Sequence, residues 1–237
     1  MKPKLVIGII ILLFCSTAWA QPRFSPGTVV PEAYLKAYGS HAFFSTVPIS
    51  ESLKSRMDGC SYKAMGGVGW EDLRYLRVLH CDANGRVIVG EMVCNKAIAA
   101  DLLSIFRALY DDGYPIEKML LVENYDGDDE ASMRDNNTSC FNQRRTLGGM
   151  ISKHSYGMAV DINPLYNPYL RQRSAGRTLI QPEGSEPYLD REGDFPYKIV
   201  KGDLCYRLFR EHGFSWGGNW NRGKDYQHFE RSHTSKR

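Results

Sequence analysis

The segment Ser152-Lys-His-Ser-Tyr-Gly-Met-Ala-Val-Asp-Ile-Asn163 combines a short apolar run with side chains that bind metals. Its imidazole, His154, and its carboxylate, Asp161, are seven residues apart, with Gly157 between them. Alternation along residues 158–162 predicts a strand that turns its apolar side chains to the core and Asp161 to the opposite face. A carboxylate on so apolar a strand needs a metal ion or hydrogen-bond donors, so the segment predicts a polar site beside the core.

A second cluster of the same kind lies near the C-terminus, in Asp225-Tyr-Gln-His228-Phe-Glu230. It supplies another imidazole, and two His with one Asp suffice for a catalytic zinc that keeps its fourth position for water. Imidazole nitrogen favours zinc over calcium or magnesium, which prefer oxygen ligands. The sequence therefore predicts Zn²⁺ ligands at His154, Asp161 and His228.

Hydrolysis at such a metal also requires a general base and a group that stabilises the developing oxyanion. Asp225, three residues before His228, is the predicted base, and Glu230 is the reserve. Arg144 and Arg145 are both candidates for the cation, and composition does not choose between them.

Further motifs accompany the two clusters, and all of them fall within roughly residues 70–230. They are Ser152-x-His154, Gly157-x-Ala159-x-Asp161, Gly213-Phe-x-Trp216-Gly-Gly-x-Trp220 and Asp225-x-x-His228, with Ser132-Met133, Asn136-Asn-Thr-Ser139 and Phe141-Asn-x-Arg144 upstream. The combined pattern resembles the zinc D-Ala-D-Ala peptidases. That family includes VanY-type carboxypeptidases, VanX-type dipeptidases and the L-alanyl-D-glutamate endopeptidases of phage endolysins.

The resemblance implies the same three zinc ligands and the same base. It selects Arg144 as the arginine that binds substrate or stabilises the transition state, and it implies that Ser152 contacts substrate near the metal. The expected fold is α+β and hedgehog/DD-peptidase-like, with a small mixed or antiparallel sheet that carries the zinc site between flanking helices. Trp216 and Trp220 either line the substrate groove or pack the floor of the domain.

One residue departs from part of the family pattern. VanX and VanY members carry Glu at the base position, whereas Asp225 is more similar to the endolysin endopeptidases. The predicted function is that of a secreted zinc peptidase that cuts peptidoglycan stem peptides. Its activity is either that of a D-Ala-D-Ala carboxypeptidase or that of an L-Ala-D-Glu endopeptidase. The alternative from another class is an inactive module that binds cell-wall peptides. A serine hydrolase built on Ser152 or Ser155 ranks lower, because no Gly-x-Ser-x-Gly elbow surrounds either serine.

The N-terminus predicts export. Basic residues precede the apolar run Leu5 to Phe14, and Ala18-Trp-Ala20 provides a small-x-small cleavage site, so residues 1–20 are predicted to be a signal peptide. A lipoprotein through Cys15 is disfavoured by Phe14. Residues 21–60 are predicted to be an extension packed on a catalytic domain of residues 61–237, in a periplasmic or secreted protein.

The charge balance limits the classes of partner. Without residues 1–20, 28 Lys and Arg face 27 Asp and Glu, a net charge of +1 that does not favour nucleic acid or an anionic membrane as the main partner. No stable membrane insertion is expected after signal cleavage. The expected partner is the stem peptide, and a monomer is expected. Five cysteines remain, and Cys81 and Cys94 are predicted to lie too far apart along a hairpin for a disulfide.

The remaining elements follow from periodicity and capping residues. Residues 164–200 show no periodicity and are predicted to be an irregular segment that walls the site. The predicted elements are helices Pro31–Tyr38, Glu51–Met57, Asn95–Gly113 and Asp203–His212, a hairpin over residues 73–94, and strands Met119–Val122, Met158–Ile162 and Tyr226–Glu230.

Overall fold

A computed structural model describes residues 24–65, 67–146, 148–172 and 178–232. The predicted signal peptide, residues 1–20, lies outside these described residues. Within them, no helix has the length and apolar character needed to cross a membrane.

Short helices and strands alternate along the described part of the chain. The helices are α1 (Glu32–Tyr38), α2 (Glu51–Met57), α3 (Lys96–Asp112), α4 (Asp129–Arg134) and α5 (Leu204–Glu211). The strands are β1 (Ser45–Pro48), β2 (Leu73–Cys81), β3 (Val87–Asn95), β4 (Ala159–Asp161), β5 (Tyr169–Gln172), β6 (Thr178–Gln181), β7 (Ser215–Trp216), β8 (Lys224–Asp225) and β9 (His228–Glu230). They form three antiparallel sheets, in the orders β1-β2-β3, β4-β9-β7 and β6-β5-β8, which confirms the α+β prediction.

The long β2–β3 hairpin is the predicted one. Cys81 pairs with Val87, and Cys94 pairs with Arg74 near the other end of the ladder. The two thiols are therefore far apart, and both cysteines are free.

Helix α3 covers the first sheet and begins and ends where its capping residues predict. The Asn95 side chain accepts a hydrogen bond from the Ala97 amide, and Gly113 ends the helix in the left-handed conformation. We call the apolar cluster shared by α3, β2, β4, α5 and β9 the main core. The residues of α3 at helical spacing are all buried in it: Ile98, Leu102, Ile105, Phe106 and Leu109.

The second sheet packs against the same core and carries the predicted site. Met158, Val160 and Ile162 lie in the main core, as the alternation predicts. On the neighbouring strand, the Phe229 ring stacks on Phe209 of α5 at a centroid distance of 4.3 Å. Strands β4 and β9 are therefore fixed in position by a packed apolar face.

The third sheet lies where the sequence predicted irregular structure, so that prediction was wrong over part of residues 164–200. Strands β5 and β6 have only four residues each, too few for a period-two pattern to be recognised. Strand β5 also pairs with β8, which places Tyr169 opposite Asp225.

Two further predictions were wrong near residue 120. Met119, Leu121 and Val122 are buried, but residues 119–122 form no named strand. Met119 joins the first sheet through one hydrogen bond, from the Glu91 amide to its carbonyl at 2.9 Å. The acidic segment that follows, residues 123–130, was expected from the sequence to be a loop of solvated or hydrogen-bonding carboxylates. Its end instead begins α4, and Asp128 caps this helix by accepting from the Ala131 amide.

The other helix and strand predictions differ from the structure at their ends. Helix α2 has the predicted bounds, whereas in α1 and α5 the flanking Pro31, Asp203 and His212 are caps rather than helical residues. The last predicted strand begins later, at His228, because the Tyr226 amide bonds to the carbonyl of Pro168 instead.

Candidate metal centre

A 3₁₀ turn, Lys153–Tyr156, places His154 in the interior. The Ser152 hydroxyl caps this turn by accepting from the His154 amide at 3.3 Å. Gly157 ends it with φ +62°, a backbone conformation that favours glycine, and the chain then enters β4. The His154 side chain is 3% exposed.

Gly157→Ala is expected to destabilise the protein. A Cβ at this position would lie 2.7 Å from the Asn95 amide nitrogen, in addition to the strain of a positive φ. We expect a loss of about 3 kcal/mol of unfolding free energy, measured by urea denaturation. Gly85→Ala is the control: φ is +74° there, but a Cβ meets nothing within 4 Å, so about 1 kcal/mol should be lost. Equal losses in the two variants would contradict the steric argument.

The three predicted ligands meet because β4 and β9 are neighbours, with Asp161 directly opposite His228. His228 Nδ1 lies 2.9 Å from Asp161 Oδ1, and His154 Nε2 lies 3.1 Å from Asp161 Oδ2. The same two imidazole nitrogens are 3.2 Å apart. All three residues are buried, so three donor atoms converge on one point in the interior.

The outer nitrogen of each imidazole has its own partner. His154 Nδ1 lies 2.6 Å from the carbonyl oxygen of Cys140, to which it can only donate. His228 Nε2 lies 3.2 Å from the carboxylate of Glu230. With protons on these outer nitrogens, His154 Nε2 and His228 Nδ1 both turn lone pairs toward Asp161. Such outer partners are typical of metal-binding histidines.

The convergence of lone pairs and a carboxylate creates a strong preference for positive charge. Burial lowers the pKa of His228, but its hydrogen bonds to Asp161 and Glu230 outweigh burial and raise that pKa to about 10. Burial raises the pKa of Asp161, yet the two imidazoles hold it well below its usual range. A cation between the three residues is therefore electrostatically favoured.

Zinc fits this donor set. Two imidazole nitrogens and a carboxylate oxygen are common zinc ligands, and tetrahedral zinc at about 2.0–2.2 Å from each would space its ligand atoms about 3.3–3.5 Å apart. The separations of 2.9–3.2 Å between the donor atoms are close to that spacing. Three protein ligands leave a fourth position free for water or substrate.

Glu230→Ala is expected to weaken zinc binding. The carboxylate of Glu230 accepts from His228 Nε2 and so fixes which nitrogen of His228 carries the proton. Loss of such an outer partner typically costs 10–100-fold in metal affinity. Competition with a chromophoric chelator would measure the change, and an affinity equal to that of the wild type would show that Glu230 does not orient the ligand.

The ligands open onto a cavity of about 490 Å³. Tyr169 is opposite both Gln181 and Asp225 in the third sheet, so these three residues form a row across one wall. Trp220 lines the cavity, with its ring centroid 5.4 Å from that of His228. Trp216, in contrast, is buried in the main core and donates its indole N–H to the Tyr226 carbonyl, so it packs the domain rather than the groove.

Arg144 lines the cavity, held by side chains on two sides. Its Nη2 atom forms an ion pair with Asp129 of α4 at 2.9 Å, and its Nη1 atom lies 3.4 Å from the Ser152 hydroxyl. Ser152 thus both caps the His154 turn and contacts Arg144. The alternative cation, Arg145, donates to the Gly149 carbonyl instead and is not among the cavity-lining residues.

Asp225 faces the same cavity from β8, and its Oδ1 atom is buried without a hydrogen-bond partner among the described residues. Burial raises the pKa of Asp225 to about 7; the charge of Asp161 raises it too, while His228 and Arg144 act in the opposite direction. A carboxyl group with a pKa near 7 is well suited to accept and return a proton at neutral pH.

Several cavity residues were missed by the sequence analysis. Asp129 lay in an acidic loop interpreted as solvated, and Tyr169, Arg171 and Gln181 lay in the segment predicted only to wall the site. The wall itself was anticipated, but its residues become recognisable only through the pairing of β5 with β6 and β8.

Comparison with known proteins gives one match. Residues 146–231 match a protein family described as D-alanyl-D-alanine carboxypeptidase, a match that supports a peptidoglycan-acting peptidase in general. No curated protein and no solved structure matches the chain. The matched segment contains His154, Asp161, Asp225 and His228. Residues 146–231 are therefore similar to the D-alanyl-D-alanine carboxypeptidase family, in agreement with the resemblance of the sequence motifs.

Proposed function

We propose that this protein is an exported zinc peptidase that hydrolyses peptide bonds in the stem peptides of peptidoglycan. The observation that carries the proposal is the convergence of His154, Asp161 and His228 at the floor of a cavity that Asp225 also faces. Bound zinc would polarise the scissile carbonyl and lower the pKa of water to about 7. Export is expected from residues 1–20.

The chain's own residues account for the proton transfers. Asp225 takes a proton from the attacking water through a carboxylate that burial has made more basic, and it returns this proton to the leaving amine. Arg144 provides the fixed cation for the carbonyl oxygen that gains negative charge. The ion pair with Asp129 limits the movement of this guanidinium.

The scissile bond can be determined from products. Purified peptidoglycan and a free stem pentapeptide are incubated with the zinc-loaded protein without residues 1–20, and the products are identified by mass spectrometry. Release of single D-Ala would establish a carboxypeptidase, whereas stem peptides that lack L-Ala would establish an endopeptidase. The Asp225→Asn variant is the matched control for contaminating hydrolases. Absence of any product from the zinc-loaded protein would overturn the proposal, and binding without cleavage would favour a peptide-binding module.

A further inference from the structure

Unpartnered polar atoms are concentrated at one place in this protein. In the described part of the chain, seven buried side-chain nitrogen or oxygen atoms have no hydrogen-bond partner in the protein. Four of these belong to residues that line the cavity: Arg144 Nε, Thr146 Oγ1, Asp225 Oδ1 and Gln227 Oε1. Each such atom costs about 1–3 kcal/mol when it is left unpaired, so their concentration indicates a polar ligand.

Thr146 and Gln227 are the members of this set with no role so far, and of the two only Gln227 is buried as a whole residue. Its backbone is fixed, because its carbonyl accepts from the Ile162 amide at 3.0 Å, between the strands that carry Asp161 and His228. The residue is only 2% exposed, and its buried Oε1 atom has no hydrogen-bond partner among the described residues. An acceptor of the carboxamide is thus buried at the cavity wall without a donor.

The chemistry of a carboxamide narrows the choice of ligand. It is neutral and offers both an acceptor and donors, which matches a peptide group better than the carboxylates of a stem peptide. The other amide side chain at the cavity, Gln181, already donates to Glu130 at 3.2 Å. Gln227 therefore provides the uncommitted amide of the cavity.

The peptide group that Gln227 contacts follows by elimination among the groups of the substrate. The scissile carbonyl is assigned to the metal and Arg144, and the leaving nitrogen to Asp225. A carboxypeptidase substrate has no peptide bond after the scissile one. The neighbouring amide common to carboxypeptidase and endopeptidase substrates is therefore the bond that precedes it.

We propose that Gln227 binds substrate by accepting, through Oε1, the N–H of the peptide bond that precedes the scissile bond. The inference rests on the proposed peptidase function and adds a specificity-determining residue to it. Because one good hydrogen bond to a buried acceptor contributes roughly tenfold, Gln227→Met should lower kcat/KM about tenfold, mainly through KM.

The test compares the cleaved peptide with an analogue in which an ester oxygen replaces that N–H while the scissile amide stays intact. The wild type should cleave the analogue about tenfold less efficiently, and Gln227→Met should discriminate between the two less than threefold. The control is Gln181→Met, which removes a cavity amide that is already bonded and should keep the tenfold discrimination. Gln227→Leu repeats the test with a different side-chain shape.

Zinc content and melting temperature provide the second readout. Removal of an unpartnered polar atom should leave both unchanged or raise the melting temperature, whereas a structural glutamine would lower it. Two results would overturn the inference but not the proposed peptidase function. One is that both Gln227 variants discriminate between peptide and ester analogue as strongly as the wild type, and the other is that the wild type cleaves the two substrates equally well. If the zinc-loaded wild type cleaves neither peptide nor peptidoglycan, the proposed function fails and the inference fails with it.

Discussion

Asp225→Asn is expected to lower kcat by about 10²–10⁴-fold while the protein still binds zinc normally. Asn preserves the shape of the side chain but cannot accept a proton, and general base catalysis typically contributes a factor of that size. Asp225 is not among the three converging ligands, so the zinc content should match that of the wild type. A kcat within threefold of the wild-type value would contradict the assignment, and Glu230, although bonded to His228, would then be tested as the base.

The pH dependence gives an independent check on the same residue. Burial raises the pKa of Asp225 to about 7 in the metal-free protein, and a nearby dication would lower it. Because the base acts only when it is ionised, kcat/KM should fall as the pH drops through a value below 7. In Asp225→Asn the residual activity should lack this acid limb.

The unfolding free energy of the metal-free protein should depend on pH in the opposite direction to kcat/KM: it should decrease as the pH rises. A carboxyl group whose pKa is higher in the folded than in the unfolded state stabilises the fold at pH values below about 4, and this contribution is lost as the pH rises through about 7. Metal-free Asp225→Asn should therefore be more stable than the wild type at pH 8, by up to about 4 kcal/mol, but not at pH 4. Urea denaturation at the two pH values measures the difference.

The sequence was sufficient to predict that His154, Asp161 and His228 belong to one site, because each carries its own local signal. His154 and Asp161 lie in one segment, and the apolar alternation of that segment predicts which face Asp161 occupies. His228 is separated from them by 67 residues, and it was found through the paired carboxylates around it. Strand pairing then places Asp161 and His228 side by side, a contact that follows from packing rather than from any one motif.

The walls of the cavity could not be predicted, because their residues gain meaning only from distant partners. Asp129 is one of several acids in its loop, and it is distinguished only by its 2.9 Å contact with Arg144. Tyr169 joins the site because β5 pairs with a two-residue strand 55 residues later in the chain. In the sequence, Gln227 looks like any other polar residue of a predicted strand. Only the structure shows that its Oε1 atom is buried without a hydrogen-bond partner among the described residues.

A bound dication would change the charge of the cavity. Four carboxylates and three cations line it: Asp129, Asp161, Asp225 and Glu230, with Arg144, Lys153 and Arg171. With these groups ionised and His228 protonated, as its pKa of about 10 favours in the metal-free protein, the lining has no net charge. A dication that displaces the proton of His228 would change the net charge to +1, which favours an anionic peptide.

Removal of zinc by a chelator is accordingly expected to abolish hydrolysis and to lower the melting temperature while the fold persists. The fold persists because the hydrogen bonds among His154, Asp161 and His228 form without an ion, with the extra proton on His228, whose pKa is about 10. Zinc at a thousand times its dissociation constant contributes about 4 kcal/mol, which corresponds to a shift of about 10 °C for a chain of this size.

A matched pair of histidine variants separates loss of the site from loss of a hydrogen-bonded imidazole in general. His154→Ala should lose both zinc and activity, because it removes one of three ligands and leaves Asp161 with one fewer partner. His212→Ala removes an imidazole that bonds to Asp101 at 2.9 Å, outside the cavity, so zinc content and kcat should be retained. Full activity after exhaustive chelation, or stoichiometric zinc in His154→Ala, would contradict a metal centre at this position. In the proposed mechanism the peptide carbonyl is activated at that centre, so loss of the centre should remove the chemical step.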